Sequence, residues 1–388
     1  MRKTYKYRLY PTKNQTQKLE QTLETCRILY NSCLQDRRNR YEQTGKGLSR
    51  IEQQKTLVSD KQRVQLLLDV HSQVLQDVLF RVEKAYQGFF RRLKENTKPG
   101  YPRFKGEGRY DSITYPQKPG FDIVNGRLKL SKIGHIKIKL HRQIRGDIKT
   151  CTVIKDGNHW YACFSVEYNP DSKPVPIKSI GIDVGVKSFA ALSDGTIIDN
   201  PRYLTKSEKK LIRKQRELSR KKKGSSNRIK ARLTVASLHR KVKNQRSDFQ
   251  HKVSRYIVDN YGFIAVEDLN IRNMVHNRHL AKSISDAGWG GFLLKLAYKA
   301  EEAGCWFEKV TARNTSVICS GCGEKVPKNL SVRTHMCPFC GLVLDRDHNA
   351  AINIINKSTV GITGSNARGE AVQSGSSWNR EAPSERAE

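Results

Sequence analysis

The sequence predicts a multidomain protein of mixed α/β class. Three textures carry that prediction. Apolar residues recur at helical spacing over most of 13–93, residues 120–170 alternate with period two, and two apolar runs, Ile180–Val186 and Phe263–Leu269, look like strands buried on both faces. A chain of 388 residues has room for roughly two to four modules at ~100–200 residues each.

Residues 4–9 put Tyr5, Tyr7 and Leu9 on one face and Lys6 and Arg8 on the other, a short strand that Pro11 stops. From Lys13 to about Tyr41, Leu19, Leu23, Cys26, Leu29, Tyr30, Cys33 and Leu34 share one helical stripe. Further helical stretches run from about Ile51 to Leu68 and from about Ser72 to Leu93, the latter with Val74, Leu75, Val78, Leu79, Val82 and Phe89 inward. Lys98-Pro99-Gly100-Tyr101-Pro102 breaks the pattern, and a basic loop, Arg103 to Tyr110, follows. Residues 13–117 are therefore expected to form a helical module. Strands are expected at 127–130, 135–140, 151–154 and 160–168, the last two joined by a turn at Asp156-Gly157-Asn158. Lys and Arg alternate with the apolar residues, so one sheet face is basic. The strand at 4–9 joins this sheet, which makes the helical module an insertion.

The apolar run at 180–186 is followed by strands at 188–192 and 196–198. Residues 206–255 hold 19 Lys and Arg against Glu208, Glu217 and Asp248, a net +16. Leu204, Leu211, Leu218, Leu233 and Leu238 make this a helical pair joined near Gly224-Ser225-Ser226. Phe263–Leu269 is a buried strand ending in acids, and 289–303 is helical. The segment 305–357 carries paired cysteines and a short last helix, Ala350–Asn356, after which 358–388 is expected to be disordered.

Lys and Arg number 72 against 37 Asp and Glu, a formal charge of +35. The pI is near 10.0 and the mean hydropathy −0.66. This balance argues against a small-molecule enzyme without a polyanionic partner and points to nucleic acid or an anionic membrane. No stretch approaches the ~18 consecutive apolar residues of a spanning helix, and Met1–Arg8 has no apolar signal core. Nine cysteines, four of them in C-x-x-C units, fit a reducing compartment and a metal site better than a disulfide framework. A cytosolic protein bound to DNA, RNA or both is expected.

Two constellations carry chemistry. Cys319-x2-Cys322 and Cys337-x2-Cys340 lie 14 residues apart, with Gly321, Gly323 and Gly341 allowing tight turns. Four thiolates in tetrahedral array suit one structural Zn²⁺ and leave no open position. Cys26, Cys33, Cys151, Cys163 and Cys305 fall on apolar faces as core residues. The second constellation is Asp183, Glu267 and Asp347. Asp183 interrupts an apolar strand, Glu267 ends another, and Asp347 precedes the last helix; an unpaired buried carboxylate is costly and needs a reason. Converging, the three would bind two Mg²⁺ ions roughly 4 Å apart for phosphodiester hydrolysis. Taken singly, each also has a plain explanation: a strand-end turn for Asp183, an ion pair for Glu267, a helix N-cap for Asp347. The basic pair at 206–255, including Lys221, Lys222 and Lys223, reads as a phosphate-holding surface rather than a solvated face.

Five motifs then occur in order. They are Gly181-Ile182-Asp183-Val184-Gly185-Val186-Lys187, Val266-Glu267-Asp268-Leu269-Asn270, Ser285-Asp286-Ala287-Gly288-Trp289-Gly290, the four cysteines, and Asp345-Arg346-Asp347-His348-Asn349-Ala350-Ala351. With Tyr7-Arg8-Leu9-Tyr10-Pro11 and Gly100-Tyr101-Pro102-Arg103-Phe104 they resemble the TnpB family, RNA-guided DNA endonucleases of insertion-sequence transposons related to type V CRISPR effectors. The resemblance implies a RuvC-type, RNase H-like nuclease domain over 177–314 and 344–357 with Asp183, Glu267 and Asp347 as catalytic acids. It implies an inserted zinc module at 315–343, a wedge β-barrel from 1–12 and 118–176, and a recognition insertion at 13–117. It also implies a guide RNA from the transposon's right end, double-stranded DNA as target, a prokaryotic cytosol, and motif-reading positions at Gln76 and Thr114. Of the two aspartates in the last motif, Asp347 rather than Asp345 matches the family's catalytic acid. A nuclease-inactive RNA-guided repressor and a DDE-type transposase are the competing readings. The complete acid set disfavours the first; for the second, no helix-turn-helix is legible.

Overall fold

The computed structural model describes residues 1–170, 174–329 and 332–365, with side chains as far as Ser358. The chain divides into two units, Met1–Pro170 and Asp171–Glu388.

In the first unit, strand β1 (Arg2–Tyr10) leads into helices α1 (Lys13–Thr44), α2 (Arg50–Arg63), α3 (Gln65–Leu68) and α4 (Ser72–Lys94). Strands β2 (Ser112–Tyr115), β3 (Phe121–Val124), β4 (Arg127–Leu130), β5 (Gly134–Lys139), β6 (Asp147–Asp156) and β7 (His159–Glu167) follow. A capping box starts α1: Thr12 accepts from the Gln15 N–H, and Gln15 accepts from the Thr12 N–H. Gly45, at φ +66°, ends it. The expected helix at 51–68 is split at Val64, whose extended backbone separates α2 from α3.

The strands form one antiparallel sheet in the order β2-β6-β7-β1-β5-β4-β3. β1 sits centrally, pairing with β7 from Arg2 to Leu9 and with β5 from Arg8 to Tyr10. Tyr5, Tyr7 and Leu9 point inward as the alternation requires. Gly157, at φ +60°, makes the two-residue turn closed by Asp156 and His159. Two expectations are corrected. Ser112–Tyr115, placed with the helical module, is an edge strand of the sheet. Among the described residues β2 and β3 do not pair with each other, so the expected barrel is an open half-barrel. Leu19, Leu23, Cys26, Leu75 and Leu79 of the helices share one continuous core with Tyr7, Tyr115 and Phe164 of the sheet.

The second unit opens with β8 (Ser179–Val184), β9 (Ser188–Leu192) and β10 (Ile197–Asp199). Helices α5 (Tyr203–Ser219) and α6 (Ser226–Asn260) lead to β11 (Phe263–Glu267). Helices α7 (Ile271–Met274), α8 (Ala281–Ala287) and α9 (Trp289–Ala303), strands β12 (Trp306–Val310), β13 (Thr334–Met336) and β14 (Val343–Asp345), and helix α10 (Arg346–Ser365) complete it. The main sheet runs β10-β9-β8-β11-β12, with β11 parallel to both β8 and β12 and the β8-β9-β10 meander antiparallel. β12 was not foreseen, and the last helix is longer than expected: it continues through Ser365, while the expected tail beyond that residue lies outside the described residues.

Strand alternation assigns the faces of this sheet. Ile180, Ile182 and Val184 of β8 and Ile264 and Val266 of β11 bury against Ile257, Phe292 and Leu296 of α6 and α9. The opposite positions face α10, where Ala265 packs with Ile354. Gly181 lies on that side, and a Cβ there would stand 2.1 Å from the Ala351 carbonyl oxygen and 2.8 Å from the Ile355 nitrogen. The helix backbone thus rests directly on the strand, two residues from Asp183.

Gly181→Ala is expected to push α10 off the sheet and destabilise the protein by about 1–3 kcal/mol or more; thermal unfolding followed by circular dichroism measures it.

Candidate active site and metal centre

Asp183 and Glu267 occupy the α10 side of adjacent parallel strands: Ile182 pairs with Val266, so the two acids are the next residues of each strand. Asp347 sits in the first turn of α10, above them. The structure therefore brings the three expected acids together from two strand ends and one helix start. Burial pushes the Asp183 carboxyl well above the usual carboxylate range, and the charges of Glu267 and Asp347 raise it further. Glu267 is also raised by burial, opposed by a hydrogen bond from the Thr315 hydroxyl and by the charge of Lys357. Asp347 is raised by burial and by Asp345, against Arg333, Arg346 and Lys187. Arg333 Nη1 lies 3.5 Å from Asp347 Oδ1.

The two aspartates of the last motif separate by role. Asp345 Oδ1 accepts from the Asp347 N–H at 2.8 Å and the His348 N–H at 3.4 Å, which makes Asp345 the helix cap. Asp347 is relieved of capping, and its carboxylate faces the other acids. The cap explanation offered for Asp347 is thereby corrected.

The cysteines form the second centre. Among the described residues they are the one group of three or more potential ligands whose donor atoms all lie within 4.8 Å of one another. Cys319 and Cys340 sulfurs are 3.7 Å apart, and Cys322 and Cys337 sulfurs 3.5 Å apart. The two halves repeat one turn. The Gly323 N–H donates to the Cys319 carbonyl and the Gly341 N–H to the Cys337 carbonyl, both at 3.0 Å, with φ at +81° and +73°. That conformation requires glycine. A Cβ on Gly321 would stand 3.2 Å from Leu342 Cδ2, tight enough to press on the side chain beside the sulfur cradle. Four soft thiolates in so tight a set suit zinc in a closed structural site. Of the remaining cysteines, Cys26, Cys33, Cys151 and Cys305 are buried and Cys163 is partly so.

The basic helical pair is α5 and α6. Lys209, Arg213, Arg216, Arg220 and Lys221, with Ile212 and Glu217, line an open groove of about 660 Å³. Lys221, Lys222 and Lys223 are exposed at the hairpin tip. The Ser285–Gly290 motif anchors this hairpin. Arg202, preceding α5, supplies no side-chain cap; Asp286 caps it from 82 residues away, accepting from the Leu204 N–H at 2.9 Å and the Thr205 N–H at 3.3 Å while pairing with Arg246 at 3.2 Å. In the first unit, Gln76 is exposed on α4, whereas the Thr114 hydroxyl is engaged by Arg81 at 3.0 Å and Thr152 at 3.1 Å. Thr315, Arg333 and Lys357 were missed, because nothing in their local spacing reveals a partner so distant in sequence. No helix of the described residues is long and apolar enough to cross a membrane.

Two tests follow from these sites. Replacing Cys319 and Cys337 by Ser is expected to remove one zinc equivalent, read by metal analysis, and to lower the melting temperature, since structural zinc contributes directly to folding. For the acids the sign runs the other way. A carboxyl whose folded pKa is raised binds its proton more tightly when folded, so stability falls as pH rises past the unfolded value. In metal-free protein at neutral pH, Asp183→Asn is therefore expected to raise the melting temperature by about 2–4 °C, the shift produced by ~1 kcal/mol. Scanning calorimetry in chelator measures this, and the gain should vanish near pH 4.

Comparison with known proteins places the chain. Residues 163–278 match the family described as "Probable transposase", 289–354 the family "Cas12f1-like, TNB domain", and 1–46 a "Helix-turn-helix domain". The last description was not foreseen from the sequence; here that range forms β1 followed by the single helix α1. A relative from Streptomyces pristinaespiralis is 33% identical over 371 residues, covering 92% of this chain and 89% of the relative. One from Escherichia coli K12 is 33% identical over 390 residues, covering 96% and 95%. Both are named "Putative RNA-guided DNA endonuclease", the second with the suffix InsQ. The solved structure titled "Cryo-EM structure of the Cas12f1-sgRNA-target DNA complex" shares the fold at TM-score 0.56 and 15% identity, over 89% of this chain and 83% of that one. With 33% identity to such relatives over nearly the full length and the ordered motifs in place, the chain belongs to the TnpB family of IS605 OrfB-type proteins.

Proposed function

We propose that this protein is an RNA-guided DNA endonuclease of an insertion-sequence transposon, which hydrolyses phosphodiester bonds at Asp183, Glu267 and Asp347. The observation that carries this reading is the convergence of three carboxylates, each raised in proton affinity by burial and Asp183 also by the charges of Glu267 and Asp347. Hard oxygen donors whose charge the neighbouring Arg and Lys only partly offset fit Mg²⁺. A pair of such ions bound there supplies Lewis-acid polarisation of the scissile phosphate and lowers the pKa of water. Asp183 holds the centre of the donor set, fixed by β8. Glu267 is oriented from the neighbouring strand by the Thr315 hydroxyl. Asp347 closes the set from α10, with Arg333 at hand for the negative charge of a phosphate. The sheet order β10-β9-β8-β11-β12, with acids at the ends of β8 and β11, supports a RuvC-type, RNase H-like nuclease domain over 177–314 and 344–357 that carries the zinc module 315–343.

Guide RNA and target double-stranded DNA are the partners that a charge of +35 accommodates. The α5–α6 hairpin supplies a phosphate-binding face. The half-barrel and its helical insertion correspond to the wedge and recognition parts, with exposed Gln76 a candidate reader of the target-adjacent motif. A DDE-type transposase is the second reading, favoured by the matched family's description. It requires strand transfer without RNA.

Full-length protein co-expressed with its transposon-end RNA is expected to linearise a plasmid bearing the guide match. Asp183→Ala should lower the single-turnover rate by about 10³-fold, near 4 kcal/mol of barrier, while guide-dependent binding persists. Undiminished cleavage by that variant overturns the site assignment, and strand transfer without RNA supports the second reading. Reversing the charges of Lys221, Lys222 and Lys223 should weaken RNA binding and flatten its log–log salt slope by about one for each phosphate no longer neutralised; filter binding across a salt series measures it.

A further inference from the structure

One stripe of α10 grips the loop between β12 and the first cysteine turn. Asn349, Asn353 and Lys357 recur every four residues and so share a helix face. Lys357 Nζ donates to the Thr311 carbonyl at 3.4 Å and the Arg313 carbonyl at 2.5 Å. Asn353 Nδ2 donates to the Thr315 carbonyl at 2.9 Å and the Ile318 carbonyl at 2.7 Å. Asn349 Nδ2 donates to the Ile318 carbonyl at 2.8 Å, and its Oδ1 accepts from the Ser320 N–H at 3.0 Å. Asn349 is fully buried and Asn353 nearly so, and buried amides kept at this cost must be satisfied. Every one of these bonds ends on loop backbone, so the stripe sets the path of the loop whatever its side chains.

Two loop side chains make long-range bonds of their own: Ser316 Oγ accepts from Arg346 Nη2 at 3.5 Å, and Thr315 reaches the acid cluster. Thr315 is 3% exposed, and its hydroxyl donates to Glu267 Oε1 on β11. The Ala312 carbonyl, 3.1 Å away, is the other acceptor within reach. A hydroxyl has a single proton, and a carboxylate is the stronger acceptor, so the bond to Glu267 prevails while that group is ionised. The bond fixes the carboxylate rotamer and leaves Oε2 free for the acid cluster. Asn353 holds Thr315 by its backbone, and the same helix carries Asp347.

We propose that Thr315 is a positioning residue for the acid cluster, and that the Asn349–Asn353–Lys357 stripe locks it in place, so that the cysteine module and the acids are aligned by one element. The proposal rests on the nuclease reading above, because Glu267 matters here as a cation ligand. Groups that orient metal ligands typically change affinity by about 10–100-fold when removed.

Thr315→Ser and Thr315→Ala test it, since both lose the methyl group and differ only in the hydroxyl. Mn²⁺ binding to the full-length, RNA-free protein is read by electron paramagnetic resonance of the free ion, with zinc content and melting temperature recorded in parallel. Ser is expected to bind Mn²⁺ within about twofold of the parent, whereas Ala loses about 10–100-fold with one zinc retained. Thr315→Val repeats the Ala test with side-chain volume preserved. Asn353→Ala, which frees the Thr315 carbonyl, is expected to weaken Mn²⁺ binding at unchanged zinc stoichiometry. Parent-like Mn²⁺ affinity in both the Ala and Val variants overturns the role of Thr315. Asp183→Asn separates the two levels: if it too leaves Mn²⁺ binding unchanged, the cation site itself is wrong, and with it the reading on which Thr315 depends.

Discussion

Negative charge held out of water, on one face of the second unit's sheet, is the constraint to which the rest of that unit answers. Asp183 stands among apolar neighbours on a central strand, beside Glu267 and beneath Asp347, and each charge raises the cost of ionising it. Such a cluster is a burden to a folded chain in the absence of cations. The protein's own cations answer it only in part: Arg333, Arg346, Lys187 and Lys357 each lower the proton affinity of one or another of these acids, yet all three carboxyls stay raised. A buried carboxylate cluster that the surrounding Arg and Lys only partly offset is suited to an external cation, and the proposed nuclease chemistry follows from that.

Several local features make sense only in relation to this cluster. Gly181 has no side chain because α10 must lie against β8 for Asp347 to reach Asp183. Asp345 takes over the capping of α10, which leaves Asp347 two residues later free of that role. The cysteine turns stand apart from the acids, but they are tied to the same helix by Asn349 and Asn353, whose amides end on the loop that carries Thr315. Cysteine module, helix and acids therefore belong to one mechanical assembly. The α5–α6 hairpin has its own anchor in Asp286, which caps a helix that lacks a cap of its own.

Much of this was legible because short-range periodicity reports burial. The alternation of Tyr5, Tyr7 and Leu9, the helical stripe of Leu19 to Leu34, and the apolar run around Asp183 each identify an element and its inner face. The cysteine spacing identified its site because two short turns bring all four sulfurs together with little help from the rest of the chain. What was not legible depends on long-range partners. Ser112–Tyr115 is a strand because β6 pairs with it, and its four residues after a basic loop carry too little pattern to announce that. Trp306–Val310 is hidden in the same way by the cysteine segment that follows. The open edge between β2 and β3 is a property of sheet curvature and registry, to which alternation is blind. Thr315 was invisible because its one informative contact lies 48 residues away. For the Asp345–Asp347 pair, local spacing offered the cap to Asp347, and only the three-dimensional hydrogen bonds assign it to Asp345.

The most direct measurement is the anomalous diffraction of crystals of the full-length protein equilibrated with Mn²⁺. Manganese peaks bridging the carboxylates of Asp183, Glu267 and Asp347 are the expected result. Crystals in which manganese is ordered elsewhere, or nowhere, while these three carboxylates stay free of it would contradict the assignment of this cluster as a divalent-cation centre.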